Sequence, residues 1–106
     1  MNFKNQIYNE TKNKTMAVLI STKVKGQTQE GYDGVLTAVR ELIKQAPGFI
    51  MHCAHPDIDE WKVYEIWESK AQVDRWFGEY VVPNLPPGIH PKRTYQELHS
   101  MVTLFE

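Results

Sequence analysis

The sequence predicts an α+β fold of the ferredoxin-like, split βαβ type, with elements in the order β-α-β-β-α-β around a four-stranded antiparallel sheet. Three observations predict it. Two stretches repeat their apolar residues at intervals of three and four, as helices do. Between them lie two short strand-like runs joined by a polar turn. And in "WKVYEIWESKAQVDRWFGEY", residues 61 to 80, the rhythm changes midway from period two to helical spacing. In this order of elements both helices cover the same face of the sheet.

Residues 1 to 15, "MNFKNQIYNETKNKT", are rich in Asn, Lys and Thr without a period, and are expected to be a flexible leader ahead of a single domain at 16 to 106. A first strand is expected from Met16 to Val24, broken at Lys25-Gly26. Thr28 suits an N-cap, and Tyr32, Val35, Leu36, Val39, Leu42, Ile43 and Ala46 then mark one buried helical stripe. Pro47-Gly48 stops that helix. "FIMHCAH", 49 to 55, reads as a second strand, and "HPDIDE" as the hairpin turn into a third at 61 to 67. Ser69 caps a second helix, carried by Val73, Trp76, Phe77 and Tyr80 and ending before Pro83. "PNLPPGIHPKRTYQE", 83 to 97, holds four prolines and is expected to be a long surface loop on a fixed path. A last strand is expected from His99 to Phe105.

Composition narrows the function. A chain of 106 residues with 42% hydrophobic and 24% charged side chains is one globular domain. A net charge of -1 gives no reason to expect nucleic acid as a partner. The longest apolar run, "MAVLI" at 16 to 20, is far too short to span a membrane. Lone Cys53 cannot form an internal disulfide, and no secretory stretch opens the chain, so a cytoplasmic protein is expected.

The strands also speak to assembly. A sheet with one wet face alternates apolar with polar residues. Here Ala17 and Leu19 are as apolar as Val18 and Ile20; Phe49, Met51 and Cys53 oppose Ile50 and Ala54; Trp61, Val63 and Trp67 oppose Tyr64 and Ile66. Both faces read as buried, which points to a homodimer.

Pro47-Gly48-Phe49 after the first helix, "VYEIWES" at 63 to 69 and the element order across about 16 to 105 resemble the dimeric α+β barrel superfamily, in particular antibiotic biosynthesis monooxygenase-like (ABM) domains. The resemblance implies two sheets facing each other across a two-fold axis, with a pocket in each subunit. It implies an ABM-type monooxygenase acting on an aromatic or polyketide-like small molecule without a bound cofactor. The alternative is a non-catalytic, small-ligand-binding or stress-associated dimeric barrel whose tryptophans only pack. The heme-degrading branch needs a histidine on the second helix, and no histidine lies between 56 and 89. No heme and no other cofactor is therefore expected.

Glu65 and Trp67 share one face of the third strand and are the first candidates for a catalytic wall, because an acid desolvated beside indole rings can move protons near neutral pH. His52 is the third candidate. Trp61, Met51, Trp76, Phe77 and Tyr80 are the candidate substrate-binding residues. In "HCAH", Cys53 and His55 take one strand face and His52 the other, so the three cannot converge on a metal, and no metal site is expected.

Overall fold

The structure is a computed structural model that describes residues 16–104, and the expected leader at 1–15 lies outside them. The elements run β1 (Val18–Lys25), α1 (Gln29–Ile43), β2 (Phe49–Asp57), β3 (Glu60–Trp67), α2 (Lys70–Trp76), a π-helical turn (Phe77–Val81), a 3-10 turn (Val82–Asn84) and β4 (Lys92–Glu97). The strands form one antiparallel sheet in the order β2-β3-β1-β4. This is the expected α+β, ferredoxin-like arrangement.

Local chemistry sets the boundaries. The Thr28 hydroxyl accepts from the Gly31 N–H at 3.0 Å, and the Ser69 hydroxyl accepts from the Gln72 N–H at 3.2 Å, so both predicted N-caps satisfy otherwise orphaned donors. β2 runs two residues and β3 one residue further into the turn than the sequence suggests, leaving only Ile58 and Asp59 between them. Asp59 takes the left-handed φ of 56° that so tight a reversal requires.

The last strand differs from expectation. It lies at Lys92–Glu97, inside the stretch expected to be loop, and pairs with β1 from Lys23↔Lys92 to Val18↔Glu97. Its inward residues are Arg93 and Tyr95, and its outward residues Lys92, Thr94 and Gln96 are exposed, so it has no apolar period to betray it. The hydrophobic tail at 98–104 forms no strand, and Val102 and Leu104 stand almost fully exposed. The second helix is also shorter than expected, its α-helical part ending at Trp76 where the π-helical turn begins.

A second correction concerns β2. A bulge between Phe49 and Met51 inserts one residue, so Phe49 faces Trp67 while Met51 pairs with Ile66 on the opposite face. Phe49 and Met51 therefore do not share a face. Further along the strand lies Pro56, on the sheet's outer margin where a missing N–H is tolerated.

The core lies between the sheet and the two helices. Val18, Ile20 and Trp67 meet Val39 and Ile43 of α1 and Val73 and Trp76 of α2. Trp67 is completely buried, edge-on to Phe49 at 5.3 Å between ring centroids and tilted against Trp76 at 6.2 Å. The helix-free face carries Leu19, Met51, Tyr64 and Ile66, all partly exposed in the single chain.

Candidate active site

His52 and Glu65 are direct partners across the β2–β3 ladder, so the hairpin register places their side chains together on the helix side. His52 Nδ1 and Glu65 Oε2 stand 2.6 Å apart. The other carboxylate oxygen, Glu65 Oε1, accepts from the Trp67 Nε1–H at 2.8 Å. From above, Tyr32 in the first turns of α1 brings its hydroxyl to 2.6 Å from His52 Nε2. The result is a continuous line of hydrogen bonds from Tyr32 through His52 and Glu65 to Trp67.

The proton positions follow from what each group can do. An indole N–H only donates and a carboxylate only accepts. Glu65 therefore takes the Nδ1–H of His52, which leaves Nε2 as the acceptor of the Tyr32 O–H. Burial pushes the Tyr32 phenol up to about 12, with the negative charge of Glu65 adding to it and Asp33 and Cys53 contributing less. Tyr32 thus keeps its proton at neutral pH. It also stacks on Trp61 at 5.3 Å, which holds the ring in place.

These groups line one side of a cavity of about 90 Å³ between sheet and helices. Its other walls are largely apolar, with Ile20, Val39, Trp76 and Phe77 among them, while Arg93 enters from β4 at the far margin of the sheet. Arg93 lies with its guanidinium 4.1 Å from the Phe77 ring centroid and 3.2 Å from Asp74 Oδ1. Asp74 also accepts from Lys70 at 2.7 Å and Tyr95 at 2.5 Å. Burial opposes ionisation of Asp74, but Lys70, Tyr95 and Arg93 together outweigh it and hold the carboxyl below its ordinary value. Tyr95 is pushed up to about 12, by burial first and by its bond to Asp74 second.

The structure brings Glu65, His52, Trp76 and Phe77 to the cavity wall. Trp67 stands behind that wall, fully buried, and its indole N–H donates to Glu65. Trp61 supports Tyr32, and Tyr80 stacks on Trp76 at 4.6 Å on the outer side of α2. Met51 lies on the helix-free face, because of the bulge, and does not reach the cavity. Cys53 and His55 are exposed on that same face, where His55 stacks on Tyr64. Among the described residues, no three His, Cys, Asp or Glu side chains come together as a metal site would require.

Sequence reasoning passed over two functional candidates. Tyr32 reads as one more member of the apolar stripe of α1, although a tyrosine among aliphatic residues needs a partner for its hydroxyl, and that was the available signal. Arg93 sits in the stretch read as loop. No spacing marks it.

No family model matches the sequence, and no curated protein matches it. Solved structures do. The chain is similar to SnoaB, a cofactor-independent oxygenase from Streptomyces nogalater, at 12% identity and a TM-score of 0.63, over 86% of this chain and 99% of that one. It is also similar to a monooxygenase from the gene ActVA-Orf6 of Streptomyces coelicolor, in complex with nanaomycin D, at 19% identity and a TM-score of 0.55, over 89% and 97% of the two chains. A conserved protein of Bacteroides thetaiotaomicron, described as a possible oxidoreductase, matches at 15% identity and a TM-score of 0.53, over 79% and 99%. With its sheet order and its paired helices, the chain shares the ferredoxin-like α+β fold of these solved structures.

Proposed function

We propose that the chain is a cofactor-independent oxygenase of small, electron-rich aromatic molecules bearing an acidic hydroxyl or enol, and that it works as a homodimer in the cytoplasm. The observation that carries this reading is the Tyr32–His52–Glu65 line, joined at 2.6 Å at both junctions and set in the wall of a mostly apolar cavity. A substrate hydroxyl placed against Tyr32 Oη gives up its proton as Tyr32 passes its own to His52 Nε2. Glu65 then stabilises the imidazolium that forms. The substrate is left as an anion whose own electrons reduce dioxygen. For a doubly activated CH₂ group, both hydrogens leave, one oxygen atom becomes the new carbonyl, and the other departs as water.

The fold neighbours support the reaction class, since two of them are named as oxygenases and one of those holds nanaomycin D. The partly exposed Leu19, Met51, Tyr64 and Ile66 on the helix-free face support a paired sheet. Exposed Cys53 suits a reducing compartment, and no helix of the described residues is long and apolar enough to cross a membrane.

One observation favours a second reading, a non-catalytic ligand-binding barrel: the cavity of about 90 Å³ is smaller than the roughly 300–1,000 Å³ of most ligand pockets. Oxygen uptake separates the two. Purified protein mixed with a panel of dihydroxyaromatics and anthrones is expected to consume oxygen with at least one of them, and Tyr32→Phe to lose that activity. Saturable binding across the panel without any oxygen uptake would establish the binding protein instead.

A further inference from the structure

A second hollow lies outside the first. It occupies about 280 Å³ between the C-terminal end of α1 and the outer side of α2, with Leu42, Pro47, Arg75 and Tyr80 among its walls. Among the described residues, Trp76 is the one side chain that lines both this groove and the inner cavity. Its indole is the partition between them.

Three features mark Trp76 as a movable partition. Its Nε1–H, like that of Trp61, is buried without an acceptor, whereas the Nε1–H of neighbouring Trp67 is tied to Glu65. A buried donor left unsatisfied favours any position that reaches water or an acceptor. Trp76 is also the last residue of α2, joined to the π-helical turn of Phe77–Val81, a rare geometry often found where helices serve a function. On the groove side it is held by its stack on Tyr80, a ring that is itself 37% exposed.

Volume gives the partition a purpose. An engineered cavity of about 150 Å³ holds benzene, so the inner space of about 90 Å³ accepts a single ring after small adjustments and a fused-ring molecule not at all. Joined to the outer groove, it reaches the range of ordinary ligand pockets. We infer that Trp76 is the gate and size-selecting residue of the site: a fused two- or three-ring aromatic reaches Tyr32 only when this indole swings out toward the groove, whereas a single-ring phenol is held with the gate closed. The inference rests on the reading of the inner cavity as the reaction site.

The test measures association without turnover. Under anaerobic conditions, stopped-flow quenching of protein fluorescence follows dihydroxyanthrone as the three-ring probe and hydroquinone as the single-ring probe. Replacing the indole in Trp76→Phe is expected to speed association of the three-ring probe by about tenfold or more while leaving the single-ring probe within about twofold. Tyr80→Ala, which loosens the latch from the exposed side without touching the inner wall, is expected to act in the same direction. A ligand-free measurement accompanies them: in protein labelled with fluorotryptophan, the Trp76 fluorine signal is expected to broaden by millisecond exchange while that of Trp67 stays sharp. Equal three-ring association in all three proteins overturns the gate. So does a failure of both the wild type and Trp76→Phe to bind the three-ring probe, together with a sharp Trp76 signal. Failure of the oxygenase reading looks different, as binding of the probe with no oxygen uptake once air is admitted.

Discussion

Tyr32 Oη and His52 Nε2 stand 2.6 Å apart, joining the first helix to the edge strand β2 by a single hydrogen bond. The phenol spends its proton on the imidazole, and its oxygen keeps acceptor capacity for a substrate hydroxyl. The carboxylate behind the histidine fixes which way the chain of protons runs.

Glu65→Gln should reverse that direction. The amide oxygen can still accept from Trp67, but the amide NH₂ then faces His52 Nδ1 and forces the other tautomer, with Nε2 now a donor. Shape is almost unchanged, so stability should shift by about 1 kcal/mol or less. Proton transfer should fall by about 10²–10⁴, the usual worth of a general base. Steady-state oxygen uptake and thermal melting on the same preparations check both halves. Unchanged uptake would remove Glu65 from the relay.

Trp67→Ala should act through the core instead. Removing a fully buried indole should cost roughly 3–5 kcal/mol and leave Glu65 without its donor. Denaturant unfolding gives the stability loss. Trp67→Phe, which keeps most of the volume and removes the N–H, should retain more stability while still lowering activity.

The alkaline limb of stability should show two late tyrosines. Tyr32 and Tyr95 are each raised to about 12, against about 10 in an unfolded chain. Between those values the folded state still holds protons that the unfolded state has released, so raising the pH favours unfolding. Their contribution is therefore fully present below about pH 10 and is lost as pH climbs toward about 12. Phenolate absorbance should show two tyrosines ionising after the rest, and one fewer in Tyr32→Phe. A titration in which every tyrosine ionises near 10 would contradict the buried relay.

Asp74→Asn should loosen the last strand. Asp74 gathers Lys70, Arg93 and Tyr95, and the two latter residues are the inward side chains of β4. Weakening a partly buried, charge-assisted group of this kind should cost about 1–3 kcal/mol. Amide exchange across Lys92–Glu97 should quicken more than exchange in β3. Because the carboxyl is held below its ordinary value, its contribution is present at neutral pH and should fade as acid titrates Asp74.

Leu19→Asp or Ile66→Lys tests the paired sheet. The wild type should sediment at about twice the 12.4 kDa chain mass at low micromolar concentration, and either charge on the helix-free face should return it to a monomer. A wild-type monomer would leave Leu19, Met51, Tyr64 and Ile66 without a cover.

The parts of the fold that were legible in the sequence are those where burial and backbone period coincide. Val73 and Trp76 repeat as helical residues because one side of α2 meets the core, and Trp61, Val63 and Trp67 repeat as strand residues because alternate side chains turn toward it. β4 escaped because its inward residues, Tyr95 against the core and Arg93 over the Phe77 ring, reach the Asp74 carboxylate with their polar ends, so no apolar period marks them. Met51 went to the wrong face because a one-residue bulge leaves no mark in an apolar run. In the site, Glu65 and Trp67 were visible as an acid beside an indole on one strand face. Tyr32 was not, since helical spacing registers that a side chain is buried and is silent about what its hydroxyl touches.

The interrupted β2 margin sets a limit on how the protein can accumulate. An open strand is a template onto which further chains can zip, the route to fibres. Here the bulge after Phe49 bends that template and Pro56 removes one of its donors, so a newcomer finds no unbroken ladder to copy. At this flank, at least, the sheet offers a poor seed for fibre growth.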